Sequence, residues 1–376
     1  MINPKDFIKA IKKENIKFVT GVPDSLFKSL CLEFEKNPTG INHLAASNEG
    51  SSIGLAIGHY LSKKIPALVY LQNSGLGNTI NPLVSLADEK IYKIPIILLI
   101  GWRGEVDNNN FQIKDEPQHQ KQGIITKKLL ETLGIYYLEL NAKSNVNHVL
   151  KKIKKYVLKK SLPAAILVRK NTFENNKVIK KIKKKYSLSR EEALKIIVKQ
   201  IPNFIPKIST TGMLSRELNE FNKNLKLKSS TFLTVGGMGH ALSIASGIAI
   251  TKPNKKVLCL DGDGALLMHM GALTTSSNIN NLIHVLFNNE SHDSVGGQKT
   301  SSNKIDFVKA AKASGYFYAV SVSKKLQIEK AIKKALKQKY NSFVEIKCNA
   351  GHRENLTRPN RSPSENKQLF MNFLDI

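Results

Sequence analysis

Gly262-Asp263-Gly264, followed by Ala265-Leu266-Leu267-Met268 and closed by Ile283-His284-Val285-Leu286-Phe287-Asn288-Asn289, is the stretch that decides the fold of this chain. Lys255-Lys256-Val257-Leu258-Cys259-Leu260 before it has the length and apolarity of a short buried strand. Ala265 to Thr275 reads as a helix and Ile283 to Phe287 as the next strand. Such a strand–turn–helix–strand unit places an Asp carboxylate and an Asn amide oxygen at the carboxyl ends of two strands, where open parallel sheets bind ligands. Two hard oxygen donors with few others suit Mg2+, which keeps water and phosphate oxygens in its shell. The glycines let backbone approach a phosphate, and a helix start at Ala265 adds oriented N–H groups.

The same rhythm runs through both halves of the chain. Strands are expected at 17–20, 41–45, 67–71, 94–100, 134–140 and 164–169, and again at 207–210, 232–235, 256–260, 283–287, 317–322 and 343–347. Amphipathic helices lie between them, as from Glu49 to Ser62, with Ile53, Ala56, Ile57 and Tyr60 on one face. This alternation specifies an α/β protein with two doubly wound parallel-sheet domains. Their expected spans are 1–170 and 189–376, joined by a polar, lysine-laden linker at 171–188.

The 376 residues suffice for two domains with ample cores. The run Ile94-Pro95-Ile96-Ile97-Leu98-Leu99-Ile100 is far short of a membrane span and fits a fully buried parallel strand. The first residues lack the basic-then-apolar plan of a signal peptide. Cys31, Cys259 and Cys348 are widely spaced, as expected of buried thiols in a reducing compartment, so a cytoplasmic protein is expected. The net charge of +29 comes from 51 Lys and only 7 Arg scattered along the chain. Base readers lean on arginine forks, and no clustered basic and aromatic residues occur, so specific nucleic-acid binding is not expected. Solvated lysines on helix faces account for the charge.

Further segments carry chemistry. Glu49 follows Ala45-Ala46-Ser47-Asn48 at a strand mouth; taken alone, it is a dipole-favoured first-turn residue. Gly236-Gly237-Met238-Gly239-His240 ends a strand, its glycines allowing close approach to a flat ring and Met238 offering a polarizable side chain. Gly21-Val22-Pro23-Asp24-Ser25 follows the first strand, and Leu71-Gln72-Asn73-Ser74-Gly75 the third. Lys114-Asp115-Glu116-Pro117-Gln118-His119 lies in a polar loop, where an imidazole titrating near neutrality suits proton transfer. His292-Asp293-Ser294-Val295-Gly296-Gly297-Gln298 follows the Asn pair.

The Gly-Asp-Gly and Asn-Asn pairing resembles the thiamine diphosphate (ThDP) motif, and the segments together are similar to the phosphonopyruvate decarboxylases over nearly the whole chain. Glu290-Ser291 departs from the small pair expected after Asn-Asn, and Lys299 stands where a proline is usual. The resemblance implies two domains of the ThDP-binding fold, pyrimidine-binding first and diphosphate-binding second, with no middle domain. It places Glu49 at N1′ of the aminopyrimidine, where a carboxyl group relays a proton, the Met238 side chain as a wedge under the cofactor, and the Gly236 carbonyl at its 4′-amine. It gives Asp263, Asn289 and the Ser291 carbonyl to Mg2+, and Asn73, Gly212, Met213, Gly262, Gly264 and Ala265 to the cofactor. Asp24, His119 and His292 are the implied further catalytic groups. Arg103, Lys114, His119, His292, Lys299, Arg353 and Arg358 are candidate partners for a substrate anion, with Lys114 and Arg103 expected as substrate residues. The implied reaction is decarboxylation of 3-phosphonopyruvate to phosphonoacetaldehyde and CO2 in phosphonate biosynthesis, in a homodimer or higher homo-oligomer with sites at the subunit interface. Sulfopyruvate decarboxylation is the nearest alternative.

Overall fold

A computed structural model describes every residue except 37, 108, 110, 175–183, 226–228 and 376, and leaves the side chains of 223–225 undescribed. The chain divides into two compact units, Met1–Ile179 and Lys180–Ile376. Unit 1 carries strands β1 (Phe18–Gly21), β2 (Asn42–Ala45), β3 (Ala67–Gln72), β4 (Ile96–Gly101), β5 (Tyr136–Leu140) and β6 (Ala164–Val168). Unit 2 carries β7 (Lys207–Ser209), β8 (Thr231–Leu233), β9 (Val257–Gly262) and β10 (Leu282–Asn288), then a small ribbon of β11 (Ser291–His292) and β12 (Gln298–Lys299), then β13 (Tyr318–Val322) and β14 (Ser342–Lys347).

All pairings in the two main sheets are parallel. The first sheet runs β2-β1-β3-β4-β6-β5 and the second β8-β7-β9-β10-β14-β13. Counted within each unit, the two orders are the same. β1 sits between β2 and β3, so the chain leaves it in opposite directions, and β7 repeats this between β8 and β9. The carboxyl ends of β1 and β3, and of β7 and β9, are therefore switch points where an open sheet binds ligands. The central strands are mostly apolar, because helices cover both faces of a parallel sheet. Ile96 to Ile100 are each 0 % exposed, split between two cores.

The strands lie where the apolar runs place them, shifted by a residue or two. The helix expected from Ala265 to Thr275 differs. It starts earlier, as Asp263–Met268, breaks at His269 (φ −136°, ψ 48°), and resumes as Ala272–Ser276. The break lets His269 stack on His240, with ring centroids 4.5 Å apart. Half of the expected linker, 175–183, lies outside the described residues. At its start, Phe173 is buried against Phe7 and Phe27, and Glu174 N–H donates to the Ile2 carbonyl, so this portion packs on unit 1. No helix among the described residues is long and apolar enough to cross a membrane.

Candidate active site

In unit 2 the Gly-Asp-Gly turn ends β9. Asp261 accepts the Gly262 N–H at 2.8 Å, and Asp263 opens the short helix behind it. Asp263 is 2 % exposed, and its carboxylate takes the Thr300 hydroxyl. Burial pushes its carboxyl up to about 6, against hydrogen bonds from Thr300, Ser302 and the Gly264 amide. No ion pair among the described residues includes it. A buried carboxylate compensated only by neutral donors fits a hard cation brought in from outside.

The two asparagines at the end of β10 have different duties. Asn288 donates to Glu345 of β14 at 2.7 Å, back into the sheet. Asn289 donates its amide N–H to Asp293 at 2.7 Å and accepts the Ser291 N–H at its oxygen. Ser291 and His292 are held by the antiparallel ribbon with Gln298 and Lys299. One pocket gathers Met213, Met238, Gly262, Asp263, Gly264, Ala265, Asn289, Ser291 and His292. An oxygen-rich, glycine-edged pocket at the β7/β9 switch point fits a diphosphate with its metal. Gly212 (φ 97°) adjoins this lining, and Gly236 is half-buried on the segment leading to Met238.

Local pattern gave no sign of several neighbours. Arg190, Thr210 and Thr211 also line the pocket, beside Asp293 and Ser294 of the segment singled out after the Asn pair. Arg190 opens an amphipathic helix, Arg190–Gln200, and reads as a surface residue, yet it is 6 % exposed. It grips Glu217 through Nε at 2.9 Å and Nη2 at 2.8 Å, and Asp293 through Nη1. Partners 27 and 103 residues away leave no local signature.

In unit 1, Glu49 begins the helix Glu49–Lys63, which Asn48 caps by accepting the Ser51 N–H at 2.8 Å. Glu49 is 5 % exposed, and its carboxyl accepts from the Asn78 amide at 2.8 Å. Burial raises its affinity for a proton above that of an ordinary glutamate, opposed by the Asn78 bond. Asp24, at the mouth of β1, is fully buried; one oxygen accepts the Leu26 N–H at 2.6 Å and the other has no hydrogen-bond partner. Burial pushes its carboxyl up to about 7 despite nearby Arg103. His119 is buried in the first turn of the helix Pro117–Thr132.

The remaining expected residues are committed in other ways. Asn73 donates to the Arg103 carbonyl at 2.9 Å and to the Thr126 hydroxyl at 3.0 Å, and accepts the Arg103 N–H, tying β3 to the loop after β4. Arg103 is neutralised by Asp115 and also donates to the Ser25 hydroxyl at 2.8 Å. Arg353 is neutralised by Glu191 and Glu220. Lys114 and Lys299 are exposed.

Residues 5–130 match the family model described as thiamine pyrophosphate enzyme, N-terminal TPP binding domain, and residues 210–346 match thiamine pyrophosphate enzyme, C-terminal TPP binding domain. The chain belongs to the thiamine pyrophosphate enzyme family. A phosphonopyruvate decarboxylase of Streptomyces viridochromogenes is 28 % identical over 392 residues, covering 100 % of this chain and 95 % of the relative. The alpha subunit of sulfopyruvate decarboxylase from Methanococcus maripaludis is 35 % identical, covering 45 % of this chain and 95 % of that subunit. The beta subunit from the same organism is 32 % identical, covering 50 % of this chain and 98 % of that subunit. This member of the family is a ThDP-dependent decarboxylase, a carboxy-lyase with two TPP-binding domains.

Proposed function

We propose that the chain decarboxylates 3-phosphonopyruvate to phosphonoacetaldehyde and CO2, with Mg2+ holding the cofactor, as a step of phosphonate biosynthesis. What carries the reading is the end-to-end similarity to a single-chain phosphonopyruvate decarboxylase at 28 % identity. When bound, ThDP supplies the carbon nucleophile and the sink for the electron pair that CO2 leaves behind. Asp263 and Asn289 would hold Mg2+ through side-chain oxygens and Ser291 through its carbonyl. Glu49, desolvated and oriented by Asn78, would hold the proton at N1′ of the aminopyrimidine. Asp24 and His119 would bear protons elsewhere in the pyrimidine half. With Arg103 and Arg353 already neutralised, we assign the phosphonate to Lys114, His119 and His292. The site would be completed between copies of the chain, in a homodimer or larger assembly. Separately made alpha and beta subunits in the Methanococcus maripaludis relative, each matching about half of this chain, favour halves that work across chain boundaries.

The same two subunits favour a second reading, decarboxylation of sulfopyruvate, whose sulfonate carries one negative charge fewer than a phosphonate dianion. Comparing kcat/KM on the two acids separates them: preference for phosphonopyruvate supports the first reading and preference for sulfopyruvate replaces it.

A further inference from the structure

The orientation of Asn289 is not set by Asn289 itself. Its Nδ2 faces one carboxylate oxygen of Asp293 at 2.7 Å, and a carboxylate only accepts, so the amide nitrogen is fixed on that side. Its Oδ1 is thereby turned away from Asp293 toward the Ser291 N–H and the pocket holding Asp263. Asp293 is in turn immobilised by donors alone. Arg190 Nη1 and the Gly351 N–H, the latter at 3.1 Å, reach the same oxygen. Arg190 is aimed by its two-pronged grip on Glu217, which is 1 % exposed. The chain of contacts runs from the helix Met213–Leu225 through the start of Arg190–Gln200 to the loop after β10, all inside unit 2.

We infer that Asp293, locked by Arg190, is a positioning residue that presents the Asn289 oxygen to the metal. This rests on the proposed Mg2+ role of Asn289. Because every neighbour of Asp293 on this path donates to the same oxygen, an asparagine would keep those bonds through its amide oxygen, whereas Asp293→Leu keeps the size and removes the acceptor. With no acceptor there, nothing holds the Asn289 amide nitrogen on that side, and a turned Asn289 presents N–H rather than oxygen to the cation.

The test measures Mn2+ binding to the full chain with saturating ThDP, following free Mn2+ by electron paramagnetic resonance. Loss of an outer partner of a metal ligand weakens affinity by about 10–100-fold, and Asp293→Leu should fall in that range. The same substitution in an Asn289→Ser background should change affinity less than about twofold, since serine keeps an oxygen but has no amide to orient. Arg190→Lys, which keeps the charge but not the fork, should show a smaller loss with the same dependence on Asn289. If Asp293→Leu does not fold, Arg190→Lys carries the comparison alone. Equal losses in both backgrounds, or none in either, overturn the inference. Failure of the unaltered chain to bind Mn2+ with ThDP would instead defeat the underlying cofactor reading.

Discussion

The Glu49 carboxyl rests directly on Gly75: a β-carbon there would stand 2.2 Å from Oε1. Gly75 lies in a 3-10 turn with ordinary helical backbone, so alanine is tolerated by the chain but not by Glu49. Displacing a catalytic group by about 1 Å can cost on the order of 100-fold, and Gly75→Ala should lower kcat by up to that amount. Glu49→Gln, which keeps the shape but cannot relay a proton, should lower kcat by roughly 100-fold or more, with a much smaller change in ThDP affinity. Unaltered turnover in the glutamine variant would reduce Glu49 to a helix-start residue.

The Asp24 carboxyl sits at about 7 in the fold, against an ordinary 3.8. The folded chain therefore holds this proton more tightly than the unfolded one. The associated stability is complete below the unfolded value and is lost as pH rises through about 7. Asp24→Asn should remove that loss, gaining on the order of a few kcal/mol relative to wild type at alkaline pH. Urea midpoints for the two proteins should diverge as pH rises from 3.8 to about 7 and stay apart above it. Parallel curves would contradict a neutral buried carboxyl.

Much of this was legible in the sequence, for a physical reason. Parallel strands buried on both faces read as plain apolar runs, so Ile96–Gly101 and Val257–Gly262 stand out without any long-range information. Turn glycines beside acidic or amide residues at strand ends mark the ligand side. What stayed hidden depends on partners distant in sequence. The break at His269 comes where its ring stacks on His240, and Arg190 is buried where Glu217 and Asp293 converge on it. Arg103 reads as a free loop cation until Asp115 is seen closing on it.

Metal removal should act through cofactor binding. Chelation should release ThDP and abolish turnover, and Asp263→Ala should fail to retain ThDP through gel filtration. Tight ThDP binding by the metal-free chain would remove Asp263 and Asn289 from the site.

Subunit mixing tests how the halves combine. Glu49→Gln spoils the pyrimidine half and Asp263→Ala the diphosphate half. If sites form between chains of a dimer, full exchange of the two inactive proteins should restore roughly a quarter of the intact sites. No recovery after verified exchange would mean that each chain completes its own site.

The most direct measurement is turnover of 3-phosphonopyruvate by the apoenzyme as ThDP and Mg2+ are added separately and together, with pyruvate in parallel. The account predicts phosphonoacetaldehyde and CO2 in equal amounts only when both are present, at a kcat/KM far above that for pyruvate. Turnover without ThDP, or pyruvate consumed as well as phosphonopyruvate, would contradict it.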